Sequence, residues 1–150
     1  MKCISFIAAI LAIILLLNCE EDKQCTEDIE ISVNIDFKTI SSGIKKDTLI
    51  NNLTVIGKDT PYYNTNNLKS ISLALSQSSD TSEFRFSVDT VPDTILFYSS
   101  RELFMISFEC GFATRFILEK VISQDILIDS ISIIKSNVDR SDETNVIFFY

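Results

Sequence analysis

Residues 29–38, "IEISVNIDFK", decide the fold. Ile29, Ile31, Val33, Ile35 and Phe37 share one parity, while Glu30, Ser32, Asn34, Asp36 and Lys38 share the other. That period of two belongs to a strand with one face in a core and one in water. Downstream, Ser41-Ser42-Gly43 has the chemistry of a turn. Thr48 to Ile56 reads as a second strand, Leu53 and Val55 inward, with Asn51-Asn52 as a bulge. The segment 57–67, "GKDTPYYNTNN", reads as a polar loop. Further strands follow at Ile71-Leu73-Leu75, at Phe84-Phe86-Val88 and, after Pro92, from Thr94 to Tyr98.

The run 103–121, "LFMISFECGFATRFILEKV", puts Phe104, Ile106, Phe108, Cys110 and Phe112 in one phase, which assigns Cys110 to the core. Gly111 marks a bulge or bend, and Phe116 and Leu118 continue the pattern. Ile126 to Ile134 and Asn145 to Tyr150 close the series, with 120–128 the one place for a helical turn. The expectation is an all-β fold: a single antiparallel β-sandwich of about eight or nine strands over 29–150, after an N-terminal signal helix.

Upstream of the sandwich, residues 19–28 form an acidic tether and 1–18 a signal. Lys2 precedes the apolar run Ile4–Leu17. A spanning helix needs roughly 20 apolar residues, and Asn18, Glu20, Glu21 and Asp22 stop this run short of that, at a length that suits a signal peptide. Leu16-Leu17-Asn18-Cys19 resembles a bacterial lipobox, in which cleavage exposes a cysteine carrying a diacylglyceryl group. Asn18 departs from the small residue usual there, and an ordinary signal or an uncleaved anchor is the competing reading. Acyl chains on Cys19 would hold the domain at a bilayer without a spanning segment. Glu20-Glu21-Asp22 resembles the surface-export signal of Bacteroidetes lipoproteins, or is a solvated spacer.

Cysteine use follows from that reading. Cys3 leaves with the signal, and lipid on Cys19 leaves Cys25 and Cys110 to pair in an oxidising compartment. Their bond would close a loop worth roughly 4–5 kcal/mol in the chain-entropy account. Two free buried thiols are the alternative.

Cleavage ahead of Cys19 removes Lys2 and no acid, taking the net charge from −8 to −9. Such a chain lacks the basic stripe that nucleic acid demands, and the same charge disfavours anionic headgroups. With no histidine there is no Ser/His or Cys/His nucleophile pair. A carboxylate-based enzyme could draw on Glu102, Glu109 and Glu119, though strand-surface acids explain them equally. No calcium-loop spacing is present, and no cofactor is expected.

Aspartate is repeatedly followed by Thr or Ser: Asp47, Asp59, Asp80, Asp89, Asp93 and Asp129. Four of these continue into an aliphatic residue, which fits an Asx-type turn handing over to a strand. The triplets also resemble a Bacteroidetes O-glycosylation sequence, with Thr48, Thr90, Thr94 and Ser130 as acceptors. Tyr62 and Tyr63 form a candidate recognition patch, since exposed aromatics anchor protein and carbohydrate partners.

Cys25-Thr26, "DTLI" at 47–50, "DTILFY" at 93–98, "ECGF" at 109–112, "IDSISI" at 128–133 and the terminal "NVIFFY" together resemble a family of small Bacteroidetes lipoproteins classed as a domain of unknown function. The resemblance implies a lipid-anchored β domain with a Cys25–Cys110 pairing and supplies no activity. The expected role is a lipid-anchored binding or structural module of the outer membrane, its partner an envelope protein or glycan. The terminal "FFY" prompts the alternative of a small outer-membrane β-barrel.

Overall fold

The computed structural model describes residues 25, 30–57, 61–65, 67–124 and 127–150, with backbone alone for 61–65. The signal segment 1–18, Cys19, and the tether apart from Cys25 lie outside the described residues. Eleven strands form two sheets and no helix appears among the described residues.

The first sheet is built around the quoted stretch. β1 (Ser32–Ser41) carries Val33, Ile35 and Phe37 inward, and Ile31 just before it is equally buried. Ser42 and Gly43 both take positive φ, 54° and 77°, which makes the two-residue turn that matches strand twist. The chain returns as β2 (Ile44–Asp47), pairing Ser41 with Ile44. β5 (Ser70–Ala74) runs antiparallel along the first half of β1 and β2 along the second. β11 (Val146–Phe149) lies on the other side of β1 and is parallel to it, the one departure from antiparallel pairing among the described residues. β9 (Ser130–Ile133) completes this sheet beside β11.

The second sheet runs β10-β8-β7-β6-β3-β4. Its members are β3 (Leu53–Gly57), β4 (Pro61–Thr65), β6 (Thr81–Val88), β7 (Val91–Ser107), β8 (Gly111–Ser123) and β10 (Asn137–Val138). The stretch expected as one strand, Thr48 to Ile56, is broken. Only 53–57 is strand, Ile50 makes a lone bridge to Leu68, and Asn52 sits at φ 51°. The expected loop 57–67 contains β4, which pairs with β3 along the sheet's outer edge. Residues 120–123 are strand rather than a helical turn, and Ile126 lies outside the described residues.

Aromatic side chains from both sheets fill the space between them. The Phe148 ring lies 6.1 Å from Phe37, 5.7 Å from Phe86 and 6.4 Å from Phe97, so one β11 residue touches three strands. Phe84 meets Phe97 edge-on at 5.6 Å, the geometry the ring quadrupole favours. Around these rings Ile35, Leu53, Leu73, Ile95, Phe116 and Val138 are fully buried. The sheets stay open and their facing sides share one cluster of buried hydrophobic residues, which corrects the barrel alternative: a sandwich, with eleven strands among the described residues, more than the eight or nine expected.

Candidate functional site

β7 and β8 form a ribbon longer than the core beneath it. Paired residues share a face. Ser99↔Leu118 and Arg101↔Phe116 therefore define the inward side, and Leu103↔Thr114 and Met105↔Phe112 continue it outward. Bulges at Tyr98/Ser99 and Met105/Ser107 shift the register along the way. The chain reverses through Phe108, Glu109 and Cys110, where the Cys110 N–H donates to Ser107 Oγ at 3.0 Å. Gly111 closes the turn at φ 71°, a left-handed value that any Cβ would strain. Leu103 is 76% exposed, Met105 46%, Phe112 69% and Phe108 94%.

This arrangement overturns the single phase read from Phe104 to Phe112. Phe104 pairs with Ala113 and Phe112 with Met105, so the two phenylalanines point to opposite faces. Cys110 belongs to the hairpin turn, half-buried, and not to the core. There it is bonded to Cys25, the Cα atoms 4.7 Å apart across a sequence separation of 85. The N-terminal end of the described chain is thus fastened to the hairpin tip.

The structure does not gather the three glutamates. Arg115 donates to Glu102 Oε2 from Nε at 2.9 Å and lies within 2.7 Å of it through its terminal nitrogen. Glu109 is exposed in the turn. Glu119 borders a shallow depression of about 600 Å³ with Tyr98, Ser99 and Arg101. Arg101 there is held by Asp80, Nε at 3.1 Å and the terminal nitrogen at 2.7 Å.

The Asp-Thr/Ser triplets divide. Asp89 does sit in a turn, at φ 53°, and accepts from Asn52 Nδ2 at 2.6 Å. Asp93 does not: it is a fully buried strand residue whose carboxylate accepts from Ser123 Oγ at 2.7 Å and the Ile128 N–H at 3.2 Å. Asp47 ends β2 and pairs with Lys38 at 3.2 Å. Of the four acceptors, Thr90 and Ser130 are exposed, and Thr48 and Thr94 half-buried. The pairings place all four toward the end of the sandwich away from the hairpin tip. Thr90 precedes β7, Thr94 faces Arg85, Ser130 faces Phe149, and the Thr48 N–H donates to Phe37. Tyr62 and Tyr63 lie on β4, the outer strand of the second sheet, rather than in a loop.

Two polar clusters escaped the sequence reading. Buried Asn145 accepts from the Asn34 N–H at 3.0 Å and donates through Nδ2 to the carbonyls of Lys135 and Asn137. Asn34 in turn accepts from Ser72 Oγ at 2.7 Å, tying β5, β1 and the approach to β11 together. Beside it, Lys135 Nζ contacts Asp139 at 2.9 Å and Glu143 at 2.8 Å. Hydrogen bonds from the Ser141 side chain, then from Lys135, hold the Asp139 carboxyl down to about 2. The Lys135 ammonium is raised above its usual value by Glu143 first and Asp139 next. Single asparagines and lysines on polar faces give no sign in sequence of which distant carbonyl they will meet.

An open two-sheet sandwich with one overlong, disulfide-fastened hairpin defines the class of this protein as an all-β module. Within that class the chain belongs to the family of unknown function DUF6452, which matches residues 38–150. Cys110 falls inside the match; Cys19 and Cys25 lie ahead of it. No curated protein and no solved structure matches the chain.

Proposed function

We propose that this protein is a lipid-anchored module of the bacterial outer membrane, acylated on Cys19, which presents the sandwich to an envelope protein or a glycan. One observation carries the reading: an apolar run too short to span a bilayer ends directly on Leu16-Leu17-Asn18-Cys19. The Cys25–Cys110 bond supports it. After cleavage ahead of Cys19 three cysteines remain, two of them joined to each other, and acylation accounts for the third. Two acyl chains suffice for stable anchoring where one is marginal.

In this reading the outer strand β4, with Tyr62 and Tyr63, offers an edge to a partner chain, since edge strands carry unpaired backbone groups. Thr48, Thr90, Thr94 and Ser130 are the glycan acceptors, gathered at the end remote from the anchor.

Metabolic labelling with palmitate tests the anchor. The wild-type protein takes up label and has lost its first eighteen residues by intact mass; Cys19→Ser abolishes both. Unlabelled product that still begins at Met1 overturns the proposal.

A further inference from the structure

We infer that the β7–β8 hairpin tip seats in the bilayer that holds the N-terminus, with Phe108 and Phe112 buried among the lipid headgroups and upper acyl chains. The inference rests on the lipid anchor proposed above. Position 19 is six residues from Cys25, and six residues reach at most about 20 Å when fully extended. Cys25 is bonded to Cys110, which lies in the turn itself, two residues from both Phe108 and Phe112. Whatever holds Cys19 therefore holds Cys110 within that reach plus the 4.7 Å between the bridged Cα atoms. The side chains found there are those a membrane surface accepts. Met105 and Phe112 are paired on one exposed face with Leu103 two residues along it, and Phe108 stands almost fully exposed in the adjoining turn; aromatic rings partition readily to the membrane interface.

Charge supports seating by apolar contact alone. The nearby cations Arg101 and Arg115 are engaged by Asp80 and Glu102. Glu109 in the turn and Glu20, Glu21 and Asp22 beside the anchor outnumber Lys23, so the balance of charge repels anionic headgroups. The occupant is a zwitterionic lipid surface, and added anionic lipid should not strengthen the contact. β7 has 17 residues, a contour of about 55 Å at strand rise. Seating one end of the ribbon turns the other, with Thr90, toward solvent.

The chain contains no tryptophan, so an introduced one is the sole reporter. Phe108→Trp, Phe112→Trp and, at the far end of β7, Val91→Trp are prepared in the acylated protein. Each is reconstituted in phosphatidylcholine vesicles with and without brominated acyl chains, and flotation is recorded alongside. The expected result is blue-shifted emission at 108 and 112 that brominated lipid quenches several-fold, and unshifted, unquenched emission at 91. Vesicles that float with the protein while all three tryptophans stay red-emitting and open to aqueous iodide overturn the inference and leave the anchor standing. A blue shift at 108 that brominated lipid does not quench also overturns it, assigning the patch to a second copy or another protein. Protein that fails to float removes the anchor, and this inference with it.

Discussion

The two halves of the β7–β8 ribbon are made of similar residues and meet opposite fates. In the lower half Ile95, Phe97, Phe116 and Leu118 are buried. In the upper half Leu103, Met105, Phe108 and Phe112 stand in solvent on the same continuous strands. The difference lies across the interface. β11 faces the lower half through Phe148, whereas in the upper half only the other face is covered, where Phe104 packs against the core and its partner Ala113 is buried. Burial here is decided by what stands opposite a side chain, not by its own hydrophobicity. The strand pairing continues past the core because backbone hydrogen bonds between the two strands need no second sheet.

The disulfide fastens the tip of the upper half to Cys25 at the N-terminal end of the described chain, and breaking it should give the largest effect. Its loop spans a separation of 85 residues, so reduction should lower stability by roughly 4–5 kcal/mol in the chain-entropy account. Denaturant unfolding with and without reductant measures this. A shift well under that value would mean that the hairpin tip is independent of the rest of the fold. Phe148→Ala comes next. It removes the ring that touches Phe37, Phe86 and Phe97, and a buried Phe→Ala change costs about 3–5 kcal/mol. Loss of the cooperative thermal transition, or its displacement by many degrees, is the expected readout.

The Lys135–Asp139–Glu143 cluster gives a smaller, pH-dependent effect at the edge of the core region. Asp139 titrates at about 2 in the folded protein against a usual 3.8. Its contribution is therefore complete above pH 3.8 and disappears as the pH falls through 2. Lys135 is shifted upward from 10.5, so its share is complete below that pH and fades as alkali exceeds the raised value. Asp139 is 41% exposed, and screening holds the carboxyl's share to under about 1 kcal/mol. In acid unfolding, Asp139→Asn should lose a step between pH 4 and 2, and the wild type should lose most of that step in high salt.

How much of this was legible in sequence follows the same division. β1 was readable because every inward residue has an opposing sheet, so parity and burial coincide from Ile31 to Phe37. The Ser42-Gly43 turn was readable because positive φ selects its residues. The hairpin tip was not. Hydrophobic residues continue on both sides of the reversal at 108–110, and a pattern reader assigns that whole phase to the core, although Phe104 packs against it while Phe108 and Phe112 are exposed. The left-handed Gly111 was the true signal of the turn, and the phase of Phe104 and Phe112 outvoted it. β4 was missed for the converse reason: "PYYNT" has turn-like residues, yet an edge strand tolerates Pro and polar side chains because only one side must pair. Asp93 looked like its five Asp-Thr/Ser counterparts, and only tertiary structure supplies the Ser123 and Ile128 partners that bury it.

The smallest effect is the sharpest test of the comparison. Phe108→Ser deletes a phenyl ring, as Phe148→Ala does, from a residue 94% exposed rather than fully buried. Nothing packs on that ring from the far sheet, so its removal should change unfolding free energy by less than about 0.5 kcal/mol, the range of ordinary surface substitutions. The unfolding midpoint should stay at the wild-type value while the apolar surface at the tip shrinks. Should Phe108→Ser destabilise as Phe148→Ala does, the tip would have to be packed against something in solution, and the contrast between a covered and an uncovered half of one ribbon would no longer hold.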